Sequence, residues 1–179
     1  MPKRRSLPLS KAYGLLEPGP VVLVTTAHQG RSNIMTQSWH TMMEFEPPLI
    51  GCVISARNYS FDLLTASREC VFNIPTAELL KQVVGIGNSS GKKLNKFAKF
   101  GLTSVAAGCV QAPLIDECYA NLECKIADRK LVNSYNFFIL EVLQAWIVPG
   151  IKEPQTLHHR GNGNFMVAGP TVKSTSRMK

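Results

Sequence analysis

The sequence predicts a mainly β fold with short helices, arranged as a closed or nearly closed barrel, on three observations. Short β-branched or alternating apolar segments recur along the chain and are separated by turn residues. Few segments have helical spacing, and strands and helices do not strictly alternate, which disfavours a doubly wound parallel sheet. The length of 179 residues fits a single domain over residues 1–179.

Extended segments dominate the first half of the chain. Residues 21–26 are β-branched and bounded by Pro20 and Gly30, which predicts a buried strand. Residues 33–39 are its predicted hairpin partner across the turn at 28–31. Two further strands are predicted over residues 49–54, after a pair of prolines, and over residues 70–74, where Pro75 ends the strand.

The second half contains a segment with clean alternation and a long final strand. The alternation over residues 118–126 predicts a strand with one apolar face, formed by Cys118, Ala120, Leu122, Cys124 and Ile126, and one polar face, formed by Tyr119, Asn121, Glu123 and Lys125. Residues 136–148 predict the last long strand. Cys118 and Cys124 are therefore expected in the core.

Three short helices are expected between the strands. Ser60 is a predicted N-cap for residues 61–66, with Leu63 and Leu64 facing inward. Thr76 is a predicted N-cap for residues 77–84, whose apolar stripe consists of Leu79, Leu80, Val83 and Val84. A single helical turn is expected over residues 95–100.

The charge favours anionic partners. Lys and Arg number 20 against 12 Asp and Glu, which gives a net charge of +8. The basic residues are scattered, with clusters at 3–5, 92–99 and 173–179, and no basic–aromatic stripe or nucleic-acid-binding motif accompanies them. We therefore expect a solvated basic surface and no nucleic acid as partner, and only the cluster at 92–99 stands apart, because it lies beside a glycine-serine loop.

Cysteines, histidines and hydropathy argue against several other classes. The five cysteines are odd in number and form no C-x-x-C, so reduced thiols in apolar positions are expected. Adjacent His158 and His159 would point to opposite faces of a strand, and no metal site is expected. No apolar run approaches the ~20 residues of a membrane span, and the amino terminus lacks an apolar signal core, so the expected location is cytoplasmic without membrane contact.

The glycine-serine segment 85–93 does not match the spacing of a phosphate-binding P-loop. Three other interpretations remain: a nucleophile elbow, a simple loop and an anion-binding loop. Residues 87–91 match the G-x-S-x-G nucleophile elbow, with Ser89 as nucleophile and Asp116, Asp128 and His158 or His159 following in hydrolase order. An elbow requires a preceding strand, whereas a helix is predicted here. A simple loop and a loop that offers N–H groups, Ser89, Ser90 and lysines to an anion are the alternatives.

Residues 55–60 lead from a buried strand into a capped helix. Arg57 lies between the strand end and the helix start, so a guanidinium fork and free backbone N–H groups are expected close together. This arrangement predicts a phosphate site, and an ordinary turn with a solvated Arg57 is the alternative.

An ordered series of short motifs resembles the flavin reductase-like FMN-binding family, and its flavoredoxin-like members in particular. The motifs are Pro-Gly-Pro-Val-Val-Leu-Val-Thr-Thr at 18–26, Asn-Ile-Met-Thr-Gln-Ser-Trp-His at 33–40, Pro-Pro at 47–48, Ser-x-Arg-x-Tyr-Ser at 55–60, Asn-Ile-Pro at 73–75, Ser-Gly at 90–91, Asn-Lys-Phe at 95–97, Gly-Leu-Thr at 101–103 and Ala-Pro-Leu-Ile at 112–115. They run over about residues 7–169. The resemblance implies a split β-barrel that binds FMN non-covalently, usually as a homodimer with flavin sites near the subunit interface.

The resemblance also implies a set of cofactor-binding residues. One strand would run beside the flavin ring and contribute Asn33, Met35, Thr36, Gln37, Ser38 and Trp39. The ribityl chain and phosphate would contact Ser55, Arg57, Tyr59 and Ser60. The site would be closed by Ser90, Lys96 and Phe97. Residues 157–165 resemble the family's closing segment near the flavin, and His159 in this segment is the possible catalytic residue. Asn95 departs from the family pattern, which has Asp, and this leaves the pairing of Lys92 or Lys93 open.

The implied activity is that of an NAD(P)H-dependent flavin reductase. Electrons would pass from NADH or NADPH through non-covalent FMN to a small-molecule or protein acceptor. Because hydride would pass directly from nicotinamide to flavin, no general base is required. An FMN-holding electron-transfer or binding protein without nicotinamide turnover is the alternative.

Overall fold

The computed structural model describes residues 19–176. The amino-terminal basic cluster, the first residue of the 18–26 motif and the last three residues lie outside the described part. No helix between residues 19 and 176 combines the length and the hydropathy needed to cross a membrane.

A seven-stranded antiparallel sheet forms the body of the fold. Its strands are β1 (Val22–His28), β2 (Arg31–Gln37), β3 (His40–Phe45), β4 (Pro48–Val53), β5 (Glu69–Ile74), β8 (Ala120–Asp128) and β9 (Phe137–Ile147). The order across the sheet is β2-β1-β5-β8-β9-β4-β3. Two small ladders pair β6 (Ser104–Val105) with β7 (Leu114–Ile115) and β10 (Leu157–His159) with β11 (Phe165–Val167). The mainly β prediction is confirmed.

The hairpin between β1 and β2 sets the orientation of the site. Gln29 and Gly30 form its two-residue turn, with φ of 49° and 74°, the backbone twist that suits a tight hairpin. The register pairs His28 with Arg31 next to the turn and Val22 with Gln37 at the far end. The predicted pairing of these two segments is confirmed.

Strand β3 is not predicted from the sequence. It is the edge strand beyond β4, and its residues after His40 are exposed on both faces. A strand that buries neither face shows no period-two alternation, so the pattern carries no signal. The predicted strand at 49–54 is its partner β4.

Four short helices connect the strands: α1 (Tyr59–Ser67), α2 (Leu80–Gly87), α3 (Lys96–Phe100) and α4 (Val132–Tyr135), with a 3₁₀ turn over Ala77–Leu79 before α2. Leu63 and Leu64 are buried as expected. The predicted cap at Ser60 is wrong, because Asn58 occupies the N-cap position and the Ser60 hydroxyl accepts a hydrogen bond from Asn33 Nδ2 at 2.9 Å.

The second predicted helix also needs correction. Thr76 occupies the position before the 3₁₀ turn, but its side chain makes no capping hydrogen bond. Leu80 is exposed, whereas Leu79 and Val83 are buried. The shift from 3₁₀ to α geometry after Leu79 rotates the apolar stripe, so Ile86 replaces Leu80 on the buried face.

Two apolar clusters lie on opposite faces of the sheet. The barrel interior includes Val24, Cys52, Cys70, Phe72, Cys124, Phe138 and Leu140. The second cluster packs α2 and α3 on the outer face and includes Leu23, Ile34, Val83, Ile86, Phe97, Cys118 and Leu157. Alternation along β1 and β2 divides their apolar residues between the two clusters. Cys118 precedes β8 and belongs to the second cluster, whereas Cys124 belongs to the first.

The cysteine prediction holds for four of the five residues. Cys52, Cys70, Cys118 and Cys124 are buried free thiols, whereas Cys109 is exposed. Burial raises the pKa of Cys52 to about 12, so its thiol is protonated at neutral pH. The side-chain contact with Cys124, followed by burial, raises the pKa of Cys70 well above its usual value.

The predicted polar face of β8 contains a buried carboxylate. Glu123 is 0% exposed and accepts hydrogen bonds from the backbone N–H groups of Gly108 and Cys109 and from Trp146 Nε1, at 2.9, 2.5 and 2.7 Å. Burial alone would raise its pKa, but these donors hold the pKa of Glu123 below its ordinary value. The carboxylate thereby fixes the loop at 106–110 over the sheet.

Candidate cofactor site along the edge strand β2

Strand β2 presents unpaired backbone groups at the edge of the sheet. In a two-residue hairpin, the residues next to the turn exchange hydrogen bonds and the pairs alternate from there. Ile34 and Thr36 therefore direct their N–H and C=O groups away from β1. The Ile34 carbonyl accepts a hydrogen bond from Lys96 Nζ at 2.8 Å on that open side. Thr36, two residues further, offers its donor and acceptor to whatever lies beside the strand.

A cavity of about 580 Å³ adjoins the carboxyl end of β2. Its walls combine aliphatic and aromatic side chains with amides, and they include Val21, Val53, Val83, Val84, Trp39, Phe165, Gln37, Ser38 and Asn88. No charged Lys, Arg, Asp or Glu side chain lines it among the described residues. We call it the ring cavity because such walls suit a flat, uncharged ring with hydrogen-bonding edges.

The β10–β11 hairpin closes one side of the ring cavity. His159, Asn162, Gly163 and Phe165 line it, and the rings of His159 and Phe165 lie 5.2 Å apart. Asn162 and Gly163 have positive φ and lie in the turn between the two strands, which borders the cavity. The structure thus places the predicted His159 in the wall of the ring cavity.

The Gln37 side chain ties the end of β2 to Trp39 and, through the Trp39 carbonyl, to the end of β4. Its Nε2 donates to the Trp39 carbonyl at 2.6 Å, and that carbonyl also accepts from the Val53 N–H at 3.0 Å. His40 Nδ1 donates to Gln37 Oε1 at 2.8 Å, and burial lowers the pKa of His40. A neutral imidazole therefore orients the amide that positions the Trp39 backbone.

A second cavity, of about 210 Å³, lies beside the first and is more polar. We call it the phosphate cavity, because Arg57, Lys96 and the hydroxyl residues Tyr59, Ser60, Ser89 and Ser90 line it. Asn33, Met35, Asn58, Ile86 and Gly91 complete its lining. Thr36 and Gly87 belong to both cavities, so the two form one continuous groove along β2.

Lys96 is the buried cation of the groove. It is only 5% exposed, and its Nζ donates to the carbonyls of Ile34 and Ile86, both at 2.8 Å. No carboxylate lies within ion-pair distance of it in the described part of the chain. Burial lowers the pKa of Lys96 from 10.5 to about 8, so the ammonium group stays mostly protonated at neutral pH, and an anion placed beside it would raise this pKa again.

Asn33 supplies an unsatisfied acceptor. The residue is 4% exposed, and Nδ2 donates to Ser60 Oγ, while Oδ1 has no hydrogen-bond partner. The backbone of Gly91 approaches so closely that a Cβ there would collide with Asn33 Oδ1. A buried carbonyl oxygen without a partner is unfavourable, and this one lies where a ligand hydroxyl could satisfy it.

Most of the predicted cofactor residues meet along this groove. Eleven of the thirteen predicted residues line one cavity or both: Asn33, Met35, Thr36, Gln37, Ser38, Trp39, Arg57, Tyr59, Ser60, Ser90 and Lys96. Two lie elsewhere: the Ser55 hydroxyl accepts from the Arg57 N–H at 3.3 Å in the turn before α1, and Phe97 packs in the outer cluster. Asn95 keeps the capping role that Asp would have, since its side chain accepts from the Ala98 N–H, and Lys92 pairs with Asp62 instead.

Sequence reasoning missed the residues that shape the groove without an obvious chemical signature. They include Val21, Val53, Val83 and Val84. Aliphatic residues in predicted strands and helices look like core residues. Two other parts of the lining did carry a signal: the loop at 87–91 as a possible anion-binding loop, and the segment that ends at Phe165 through the family resemblance.

The nucleophile-elbow interpretation of Ser89 is wrong. Helix α2, not a strand, precedes the segment. The Ser89 hydroxyl donates to the carbonyls of Gly85 at 2.9 Å and Ile86 at 3.3 Å. It therefore satisfies carbonyl groups at the end of α2.

With this geometry established, the chain can be compared with known proteins. It matches the profile of the flavin reductase like domain over residues 15–165. The chain therefore belongs to the flavin reductase-like family of FMN-binding split barrels. Membership assigns it a flavin-related oxidoreductase or binding role.

Individual proteins resemble this chain in sequence or in fold. An uncharacterized protein of Archaeoglobus fulgidus is 38% identical over 113 residues, which are 63% of this chain and 64% of that protein. The FMN-binding domain of a flavin reductases-like enzyme from Shewanella baltica is 26% identical, with a TM-score of 0.81 over 96% of this chain and 97% of that one. Flavoredoxin of Desulfovibrio vulgaris shares the fold at 22% identity, with a TM-score of 0.83 over 99% and 98% of the two chains.

The groove fits FMN in its chemistry. The uncharged ring cavity suits an isoalloxazine ring, and the cations of the phosphate cavity suit a phosphate dianion. Between them, the unpartnered oxygen of Asn33 suits a ribityl hydroxyl. The residues present therefore match all three parts of the cofactor.

Proposed function

We propose that this chain binds FMN non-covalently and acts as an NAD(P)H-dependent flavin oxidoreductase, passing electrons to a small-molecule or protein acceptor. The observation that carries the proposal is the pair of cavities joined at Thr36 and Gly87 along the open edge of β2. One is uncharged and the other cationic, in the order in which the ring and the phosphate follow each other in FMN.

In the phosphate cavity, Lys96 and Arg57 supply the positive charge. Lys96 is held in place by two backbone carbonyls, so its ammonium group is already oriented before a ligand arrives. Arg57 is exposed at the start of α1 and contributes a guanidinium fork. Ser90 adds a hydroxyl from the loop after α2. We also propose that Asn33 Oδ1 accepts a hydrogen bond from the ribityl chain.

In the ring cavity, backbone groups hold the polar edge of the ring. Thr36 offers its N–H and C=O, while its side chain is engaged with the Val83 carbonyl at 2.6 Å. When bound, FMN supplies the redox chemistry by accepting a hydride and passing electrons onward. The aliphatic walls exclude water, and His159 and Trp39 flank the space left for a second reactant. We assign His159 a contact role, since hydride transfer requires no proton from a side chain.

The visible spectrum of the purified protein tests this proposal. A yellow protein, or a colourless one that turns yellow with added FMN, is expected, and anaerobic NADH or NADPH should bleach it. A protein that takes up no FMN would overturn the proposal. Gly91→Val is the variant that should not bind FMN. The valine side chain would collide with Asn33 and should prevent FMN uptake, while β2 should stay paired with β1.

A second candidate function is FMN-dependent electron transfer without nicotinamide turnover. The absence of Lys and Arg from the described lining of the ring cavity favours it, because a nicotinamide dinucleotide carries phosphates of its own. A yellow protein that neither nicotinamide reduces, and that dithionite does reduce, would support this second function.

We also propose that the chain forms a homodimer through the apolar edge strand β3. Met42, Met43 and Phe45 are exposed there, and Phe45 is 86% exposed. An exposed apolar edge strand promotes association with another chain, and Trp39 next to it lines the ring cavity. Sedimentation should give about twice the chain mass, and Phe45→Asp should shift it to the monomer. A monomeric wild-type protein at micromolar concentration would contradict the dimer.

A further inference from the structure

Two cations converge on one aromatic ring at the mouth of the phosphate cavity. Arg31 Cζ lies 5.8 Å and Lys92 Nζ 5.7 Å from the centroid of the Tyr59 ring. Tyr59 lines the phosphate cavity, and Lys92 follows Gly91, which also lines it. The cation pair is therefore continuous with the phosphate cavity but lies outside it.

Among the described residues, Arg31 has no ion-pair partner, whereas Lys92 pairs with one carboxylate. A flavin phosphate would be neutralised inside the cavity by Lys96 and Arg57. Asp62 Oδ2, 3.4 Å from Lys92 Nζ, is the one carboxylate paired with this group in the described part of the chain, and both side chains are more than half exposed. Like charges held against one ring repel each other, and an anion in contact with both cations would offset that repulsion.

We propose that Arg31, Tyr59 and Lys92 form a second phosphate subsite, which takes a phosphate group of an adenine nucleotide. The inference rests on the proposed function and extends it to a ligand larger than FMN. An Arg fork and a Lys point charge are the groups that bind phosphate in proteins. The ring cavity has no cation in its described lining, so this mouth is where the remaining phosphates of a dinucleotide find positive charge.

Two molecules carry this chemistry. FAD extends the flavin phosphate by an adenylate, whose phosphate would emerge at the mouth. NADPH carries a 2′-phosphate on its adenosine, which NADH lacks. In both cases the adenosine phosphate would contact Arg31 and Lys92, and the experiment distinguishes the two sources.

The test compares matched ligands on the full chain. For Arg31→Ala and Lys92→Ala, fluorescence titration gives Kd for FAD and FMN, and steady-state turnover of the FMN-loaded protein gives KM for NADPH and NADH. In each pair, the Kd or KM of the ligand with the extra phosphate, FAD or NADPH, should rise by about three- to tenfold. The value for the matched ligand, FMN or NADH, should rise by less than about twofold. Asp62→Asn removes the competing carboxylate and should tighten the same ligand.

Lys125→Ala is the control, since Lys125 lies in a partly exposed ion pair with Glu141, at 3.2 Å, elsewhere on the sheet. A selective loss for FAD assigns the subsite to the flavin, and one for NADPH assigns it to the electron donor. Equal changes for all four ligands would overturn the subsite.

Calorimetry of the flavin-free chain with adenosine 2′,5′-bisphosphate and with adenosine tests the subsite independently. Failure of FMN to bind overturns the proposed function, whereas failure of the bisphosphate to outbind adenosine overturns only the subsite.

Discussion

The ring cavity and the phosphate cavity share β2 but hold a ligand by different means. In the ring cavity the specific contacts are backbone groups of an edge strand between aliphatic walls. In the phosphate cavity they are side-chain cations and hydroxyls. The first depends on where the strand lies, whereas the second depends on which residues are present. Variants of the two should therefore differ in their effect on FMN relative to riboflavin, which lacks the phosphate.

Lys96→Met should give the largest effect. It removes the buried cation and leaves the carbonyls of Ile34 and Ile86 without their donor. We expect FMN to bind at least tenfold more weakly relative to riboflavin, since a charge-assisted bond contributes about 1.5–3 kcal/mol. Fluorescence titration with both flavins measures the ratio.

Lys99→Met is the control for Lys96, because Lys99 lies exposed in the same short helix. It should leave both affinities unchanged. An equal loss of FMN and riboflavin in Lys96→Met would show that Lys96 acts only by holding the fold.

Arg57→Ala should have the next largest effect. The guanidinium lines the phosphate cavity but is exposed, so its contribution is smaller than that of a buried cation. We expect FMN to weaken by roughly three- to tenfold and riboflavin to stay within about twofold. Arg129→Ala, in the turn before α4, is the matched exposed control. Equal weakening of both flavins would remove Arg57 from the phosphate site.

The pH dependence should follow Lys96. Because burial lowers its pKa to about 8, the free protein loses this charge as pH rises through 8, and FMN affinity should fall relative to riboflavin. The free energy of unfolding should change in the opposite direction. Between pH 8 and 10.5 the unfolded chain binds more protons at Lys96 than the folded chain does, so the contribution of Lys96 to the free energy of unfolding rises with pH. Flavin titrations and denaturant unfolding between pH 7 and 10 measure the two trends, and both trends should vanish in Lys96→Met. An unchanged flavin ratio across this range would contradict the assignment.

The sequence predicts the parts of this site that have a local signature. The β1–β2 hairpin follows from a β-branched run and a turn, and Arg57 and Lys96 from motif positions. Strand β3 could not be predicted, because it buries neither face, and the inward shift of Ile86 depends on a change of helix type after Leu79. Glu123 looks exposed in the alternation, and only the distant loop at 106–110 buries it.

The ring cavity should give the smallest and the least selective effect. Trp39 lines it with a half-exposed indole, and Gln37 fixes its carbonyl. Trp39→Ala removes wall area without touching a charge, so FMN and riboflavin should weaken together, by about two- to fivefold. Met166→Ala, in strand β11 of the closing hairpin but outside the cavity lining, is an exposed apolar control that should change neither. The ratio of the two affinities is the deciding quantity. A ratio that moves in Trp39→Ala as much as in Arg57→Ala would mean that the two cavities do not divide the ligand between ring and phosphate.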